Sequence, residues 1–171
     1  MKRLLNLIFL LCILSSACNK GGNGAVRLKK PGGKEMAELN SYFVEKDRER
    51  IISYAERKGL SLTESSTGLF YLIKKRGSGQ LLKDKDSVKI DYKCSLLDGT
   101  LCYSSEKQGI KELVIGHSEM EAGLMEGLKM LAPGGEAVLV IPPFLAFGLL
   151  GDNKLIPPRA TIVYEVKLHE K

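Results

Sequence analysis

Two prolyl pairs, Pro142-Pro143 and Pro157-Pro158, punctuate residues 134–168 and constrain how the rest of the chain folds. Neither pair fits inside a helix or a central strand, because proline lacks an N–H and fixes φ. Residues 137–141, before the first pair, form a short apolar run rich in β-branched side chains. After the second pair, residues 161–168 place Ile162, Tyr164, Val166 and Leu168 on one face. Both segments predict buried strands. The loop between them carries Phe144, Leu145, Phe147, Leu149 and Leu150. Loops run in water and are ordinarily polar, so this one is expected to cover core or a pocket.

Upstream, residues 68–76 predict a strand, closed by the turn Gly77-Ser78-Gly79. Val88, Ile90, Tyr92 and Cys94 alternate with Lys89, Asp91 and Lys93, the pattern of a half-buried strand. Asp98-Gly99 is a strong hairpin signal, and a second strand begins near Leu101. Residues 111–116 predict another short strand. Ser118 and Glu121 have the S-x-x-E spacing of a capping box, which predicts a helix from Ser118 with Glu121 as its third residue. Met120, Gly123, Leu124, Gly127, Leu128 and Leu131 form its apolar stripe, and the two glycines leave a flat face for close packing on a sheet. These periods establish an α+β class.

The order Pro143-x-x-Ala146-Phe147-Gly148, then Leu155-Ile156-Pro157-Pro158-x-Ala160-Thr161, then a closing strand resembles the C-terminal half of FKBP-type peptidyl-prolyl isomerases. Residues 92–105 resemble the hairpin that carries one wall of that family's active site. The resemblance implies an FKBP-like curved antiparallel sheet crossed by one short helix, in a domain at 68–171. It implies pocket-lining roles for Tyr92, Met120, Leu124, Ile156 and Tyr164. Phe147 falls where the family usually has a tyrosine whose hydroxyl binds a substrate carbonyl. Glu121 falls where a backbone N–H, normally on an aliphatic residue, binds substrate. Without the family, Tyr92, Leu124 and Tyr164 read as core, Phe147 as a loop anchor and Glu121 as the capping-box residue alone. The expected partners are proline-containing protein segments, with no cofactor.

The chain departs from the family at several of these positions. The usual Phe-Asp pair after the hairpin is Cys102-Tyr103, the floor tryptophan is Leu124, and Phe147 lacks a hydroxyl. Weakened isomerase activity is therefore expected, with Tyr103 partly refilling the lost volume. Cys94 and Cys102 are expected to lie across the hairpin as buried thiols, with a disulfide as the alternative. Tyr103-Ser104-Ser105, Glu121 before Gly123, and Gly151-Asp152 before Lys154-Leu155 resemble the FKBP-like lipoproteins associated with gliding motility in Bacteroidota. A non-catalytic binding or chaperone module of an envelope assembly is the competing function.

The N-terminus has a charged start, Lys2-Arg3, then an apolar run over 4–14, then Ser15-Ser16-Ala17 and Cys18. That run is shorter than the ~20 residues a spanning helix needs and predicts a signal peptide over 1–17. Ending on Cys18, it resembles the bacterial lipobox, although Ser15 stands where leucine is usual. The resemblance implies lipidation at Cys18 and a periplasm-facing membrane lipoprotein of the cell envelope; a plain secretory signal is the alternative. Residues 18–33, rich in glycine, predict a flexible tether. Residues 34–60 predict a helix whose stripe of Leu39, Phe43, Ile51, Tyr54 and Ala55 either packs on its own domain or supports a homodimer. The net charge of +6 comes from lysines and arginines scattered among acids, with no long basic run, which argues against nucleic-acid binding. His117 and His169 lie far apart and no Cys-x-x-Cys occurs, so no metal-binding spacing is present.

Overall fold

The computed structural model describes residues 32–117 and 119–170. The predicted signal peptide, Cys18, nearly all of the tether and Ser118 lie outside the described residues. Among the described residues the first element is a 26-residue helix, α1 (Gly33–Lys58), close to the predicted 34–60. Seven strands follow: β1 (Thr63–Glu64), β2 (Phe70–Lys75), β3 (Ser87–Leu96), β4 (Leu101–Ser104), β5 (Lys111–Val114), β6 (Glu136–Ile141) and β7 (Ile162–Leu168). One helical turn, α2 (Ser105–Gln108), follows β4, and α3 (Ala122–Lys129) precedes β6. All pairs are antiparallel in the order β1-β2-β6-β7-β3-β4. β5 also pairs with β3, on the edge shared with β4.

The alternation in β3 is realised: Val88, Ile90, Tyr92 and Cys94 are buried, while Lys89 and Lys93 are exposed. Residues 137–141 of β6 are an unbroken apolar run, and both faces of that stretch are covered. Ala137, Leu139 and Ile141 join Leu124 and Leu128 of α3 in the main core. Val138 and Val140 join Ile51 and Tyr54 of α1, with Phe70 and Val163, in a second core on the other face. The stripe of α1 therefore packs on its own domain through its C-terminal half. Met36, Leu39, Tyr42 and Val44 in the first half remain exposed.

The two helix glycines do what their spacing predicts. A Cβ on Gly127 would lie 2.3 Å from Leu139 Cδ1, and one on Gly123 would lie 2.4 Å from Ile141 Cγ2. Only glycine allows α3 to sit this close to β6.

Several expectations need correcting. α3 begins at Ala122, not at Ser118. Glu121 is its N-cap, with extended backbone (φ −56°, ψ 132°) and no side-chain capping bond, so it is not the third residue of a capping box. Strands β2 and β5 are shorter than the predicted 68–76 and 111–116. The segment between α1 and β2, given no element from the sequence, contains the two-residue β1. In the apolar loop, Leu145 and Phe147 pack on the main core, but Phe144, Leu149 and Leu150 are exposed.

Candidate functional site

A hollow of about 260 Å³ opens where α3, the hairpin β3–β4 and the loop before β7 meet. Tyr164, Glu121 and Phe147 line it together with Tyr103, Gln108, Lys111, Asp152 and Lys154. A second depression, of about 490 Å³, adjoins it through the shared Lys111, Glu121 and Phe147, and Met120 lines that one. Leu124, Ile156 and Tyr92 are buried in the same apolar cluster as Tyr164 and lie beneath the surface rather than on it. The rings of Tyr92 and Tyr164 are 6.1 Å apart and inclined by 43°. Of the seven predicted site residues, four line the hollow or the depression beside it. Glu121, Phe147 and Tyr164 line the hollow and Met120 lines the neighbouring depression, whereas Tyr92, Leu124 and Ile156 belong to the main core and line neither.

Glu121 sets the chemistry at the bottom. Only 8% of it is exposed. Its Oε1 accepts a hydrogen bond from the Tyr164 hydroxyl at 2.9 Å, and its Oε2 is buried without a partner. Burial, reinforced by the Glu121 charge, pushes the Tyr164 phenol well above its ordinary value. Tyr164 therefore stays a neutral donor. A buried acceptor with no partner is costly, so this carboxylate is suited to receive a donor from a bound molecule.

The walls are polar too. The Tyr92 hydroxyl donates to Gln108 Oε1 at 2.7 Å, while Lys111 Nζ lies 4.8 Å from the Tyr92 ring centroid. Across the hollow, the Tyr103 hydroxyl donates to Asp152 Oδ2. That bond pushes the Tyr103 phenol up to about 12. Asp152 Oδ1 also accepts the backbone N–H groups of Lys154 and Ile156, each at 2.8 Å. Burial pushes the Asp152 carboxyl up, but the Tyr103 hydroxyl and these amides together hold it below the usual carboxylate range. Tyr103 is thereby fixed as a wall of the hollow.

Cys94 and Cys102 are free thiols. A bulge in the β3–β4 pairing sets Cys94 opposite Tyr103 rather than Cys102. The Cys102 thiol donates to the Leu155 carbonyl at 3.6 Å, and burial pushes the Cys94 thiol up to about 12. Neither is poised as a nucleophile.

Gln108, Lys111 and Lys154 were not singled out from the sequence as site residues. Gln108 ends a four-residue helix, too short to leave a period. Lys111 and Lys154 resemble ordinary solvated lysines until the hairpin and the loop are folded together.

The sequence and fold have relatives. FKBP-type peptidyl-prolyl cis-trans isomerase FkpA of Escherichia coli K12 is 39% identical over 123 residues, covering 72% of this chain and 44% of that protein. A probable FkpA of Neisseria meningitidis serogroup B is 34% identical over 144 residues, covering 84% of this chain and 49% of that protein. The chain thus spans about half the length of these curated relatives. The crystal structure of FkpA from Escherichia coli superposes with a TM-score of 0.62 at 31% identity, covering 83% of this chain and 74% of that one. AtFKBP13 superposes at 0.60 with 27% identity, covering 65% and 98%. Residues 79–169, more than half of the sequence and every element from β3 to β7, match the family described as FKBP-type peptidyl-prolyl cis-trans isomerase, and the chain belongs to that family.

Proposed function

We propose that the chain is a peptidyl-prolyl cis-trans isomerase that works through the hollow bounded by Tyr164, Phe147 and Glu121. Its substrates are proline-containing segments of proteins. The observation that carries this reading is an open hollow lined by Tyr164, Phe147 and Glu121, with the Tyr164 ring packed 6.1 Å from Tyr92 in the main apolar core that also holds Leu124 and Ile156.

Rotation about the prolyl bond meets a barrier of about 18–20 kcal/mol, because the C–N bond loses its double-bond character on twisting. No acid, base or nucleophile is needed. A site accelerates the rotation by stripping water from the planar, charge-separated ground state and by fitting the twisted form better. The prolyl ring rests over the floor, with Phe147 and Met120 as apolar sides. The backbone N–H of Glu121 receives a substrate carbonyl. Two features weaken the activity. Phe147 brings no hydroxyl, and a lost donor costs on the order of 1 kcal/mol. The Glu121 carboxylate brings charge where the ring must dock.

That polar lining also favours a second reading, a non-catalytic module that holds a partner's loop. Proline-limited refolding and tetrapeptide isomerisation, run on the full chain and on Phe147→Ala, separate the two. Catalysis that Phe147→Ala reduces supports the enzyme. No catalysis at high protein concentration supports the module.

Further parts of the reading concern the whole protein. Residues 1–17 are a signal peptide, Cys18 carries the lipid, residues 18–33 tether the folded unit, and the domain faces the periplasm. The support is the lipobox-like end at Cys18 and, for a gliding-motility assembly, the likeness at Tyr103-Ser104-Ser105 and Gly151-Asp152. Each buried CH₂ of an acyl chain would add about 0.8 kcal/mol of anchoring. Cys18→Ala should release the protein from the membrane fraction; persistence there would refute the anchor. The exposed Met36, Leu39, Tyr42 and Val44 are the face on which we place homodimer contacts.

A further inference from the structure

Asp47 of α1 is a buried carboxylate that the site described above does not use. It is 3% exposed, a depth at which a charge needs a partner. Arg159 supplies it: Arg159 Nη2 donates to Asp47 Oδ2 at 3.0 Å. The Arg159 guanidinium also lies 3.7 Å from the ring centroid of Phe43, one helical turn before Asp47, an arrangement that suits a planar cation. Arg50 reaches the other oxygen of Asp47 from the exposed side at 3.4 Å.

Arg159 sits in an unusual conformation. Its φ is +57°, in the left-handed region where glycine is favoured and other residues are strained. It follows Pro157-Pro158, which have no N–H to tie the chain down. A glycine would make this turn more easily. An arginine held here against strain indicates that its side chain performs a task.

That task concerns the loop of residues 148–159, which supplies Asp152 and Lys154 to the hollow. The loop closes on itself through Arg159 N–H to Gly148 O at 3.0 Å and Asp152 N–H to Ile156 O at 3.1 Å. Inside it, a Cβ on Gly151 would lie 2.2 Å from the Ile156 carbonyl oxygen, so the turn is tight. One side of the loop is moored to the hairpin through Asp152 and Tyr103. The other side is moored to α1 through Arg159 and Asp47.

We propose that α1 is part of the site: Asp47 and Phe43 grip Arg159, a positioning residue, and so hold the loop that forms one wall of the hollow. The smallest unit with an ordered site then begins at α1, not at the predicted domain start near Gly68. The grip is a property of the loop; its effect on catalysis rests on the isomerase reading above.

The test uses Arg159→Gly in the full chain. Glycine accepts φ +57°, so the turn is not penalised when the grip is cut. Amide hydrogen exchange should accelerate tenfold or more at Asp152, Lys154, Ile156 and residue 159, and stay within twofold in β3, β6 and β7. Asp47→Ala should loosen the same four amides from the opposite side of the contact. Arg159→Lys, which keeps the charge, should recover most of the protection. If the loop amides keep their protection in Arg159→Gly, or if protection falls equally across the sheet, the proposal is overturned. For an active chain, KM for a proline tetrapeptide should rise at least threefold with kcat within twofold; a loosened loop with unchanged KM also overturns it. A wild-type chain without isomerase activity defeats the earlier reading and leaves the exchange result to decide this one.

Discussion

In the isomerase reading proposed above, Leu124, Ile156, Tyr92 and Tyr164 are the floor of the hollow; each is less than 5% exposed and all are in the main core. Tyr103, Gln108, Lys111, Asp152 and Lys154 form its rim, where hydrogen bonds link Tyr103 to Asp152, Asp152 to the Lys154 backbone and Gln108 to Tyr92. The floor is shared with the fold: β3, β7, α3 and the chain before Pro157 meet on it. The rim belongs to the site alone. A change in the floor therefore alters stability and activity together, whereas a change in the rim can alter activity and leave the core as it was. Glu121 stands between the two regions, buried like the floor and polar like the rim.

The largest effect expected is at the floor. Tyr164→Ala removes a side chain that is 2% exposed, together with the donor to Glu121 Oε1. Truncating a buried aromatic residue costs about 3–5 kcal/mol. Thermal unfolding followed by circular dichroism should show a fall of more than about 10 °C in Tm. Any isomerase activity should disappear with it. A variant that melts within a few degrees of the wild type would show that the floor is not part of the core, and the distinction drawn above would collapse.

At the boundary, Glu121→Ile combined with Phe147→Tyr removes the buried charge and restores a hydroxyl donor at the mouth. We expect kcat/KM for proline tetrapeptides to rise about five- to tenfold, equivalent to about 1–1.4 kcal/mol of transition-state stabilisation. The Tyr164 hydroxyl loses its acceptor in the same step, so a modest drop in Tm should accompany the gain. An unchanged rate would mean that charge and donor at these positions do not limit the reaction.

The floor was legible in the sequence and the rim was not, for a physical reason. Alternation along a strand is local: Val88, Ile90, Tyr92 and Cys94 announce one face of β3, and Ile162, Tyr164, Val166 and Leu168 announce one face of β7. The glycine pair Gly123 and Gly127 announces close packing in the same local way. The polar bonds of the site join residues distant in sequence. Glu121 and Tyr164 are 43 positions apart, and Tyr103 and Asp152 are 49 apart. No period records such a pairing. Glu121 was misread because S-x-x-E is a local pattern that fits a capping box; the extended backbone at Glu121 starts the helix later and turns the carboxylate toward Tyr164. Family resemblance proposed positions for a pocket but could not supply the bonds, since Tyr103 and Glu121 are departures from the family. Asp47 went unread similarly. It is an acid in a charged helix until Arg159 arrives from 112 positions away.

The smallest expected effect is confined to the rim and appears in its pH dependence. Tyr103→Phe cuts the bond to Asp152 and leaves the floor untouched. Because the pair is partly exposed, solvent moderates its contribution to about 1 kcal/mol near neutral pH. Tyr103 has its folded pKa raised, to about 12. Its contribution is therefore complete below the unfolded value of about 10 and is lost as pH climbs from there through the folded value. Asp152 has its folded pKa lowered. Its contribution is complete above the unfolded value of about 4 and is lost as pH falls through the folded one. The stability difference between wild type and Tyr103→Phe, measured by denaturant unfolding, should thus form a plateau between about pH 5 and pH 9. It should narrow on both sides of that window. A difference that stays constant into strong acid would mean that Asp152 is not the acceptor that matters. One that persists unchanged above pH 11 would mean the same of the Tyr103 hydroxyl. Because the Tyr103→Phe difference subtracts groups shared by both proteins, the plateau reports the rim bond separately from the buried tyrosines of the floor.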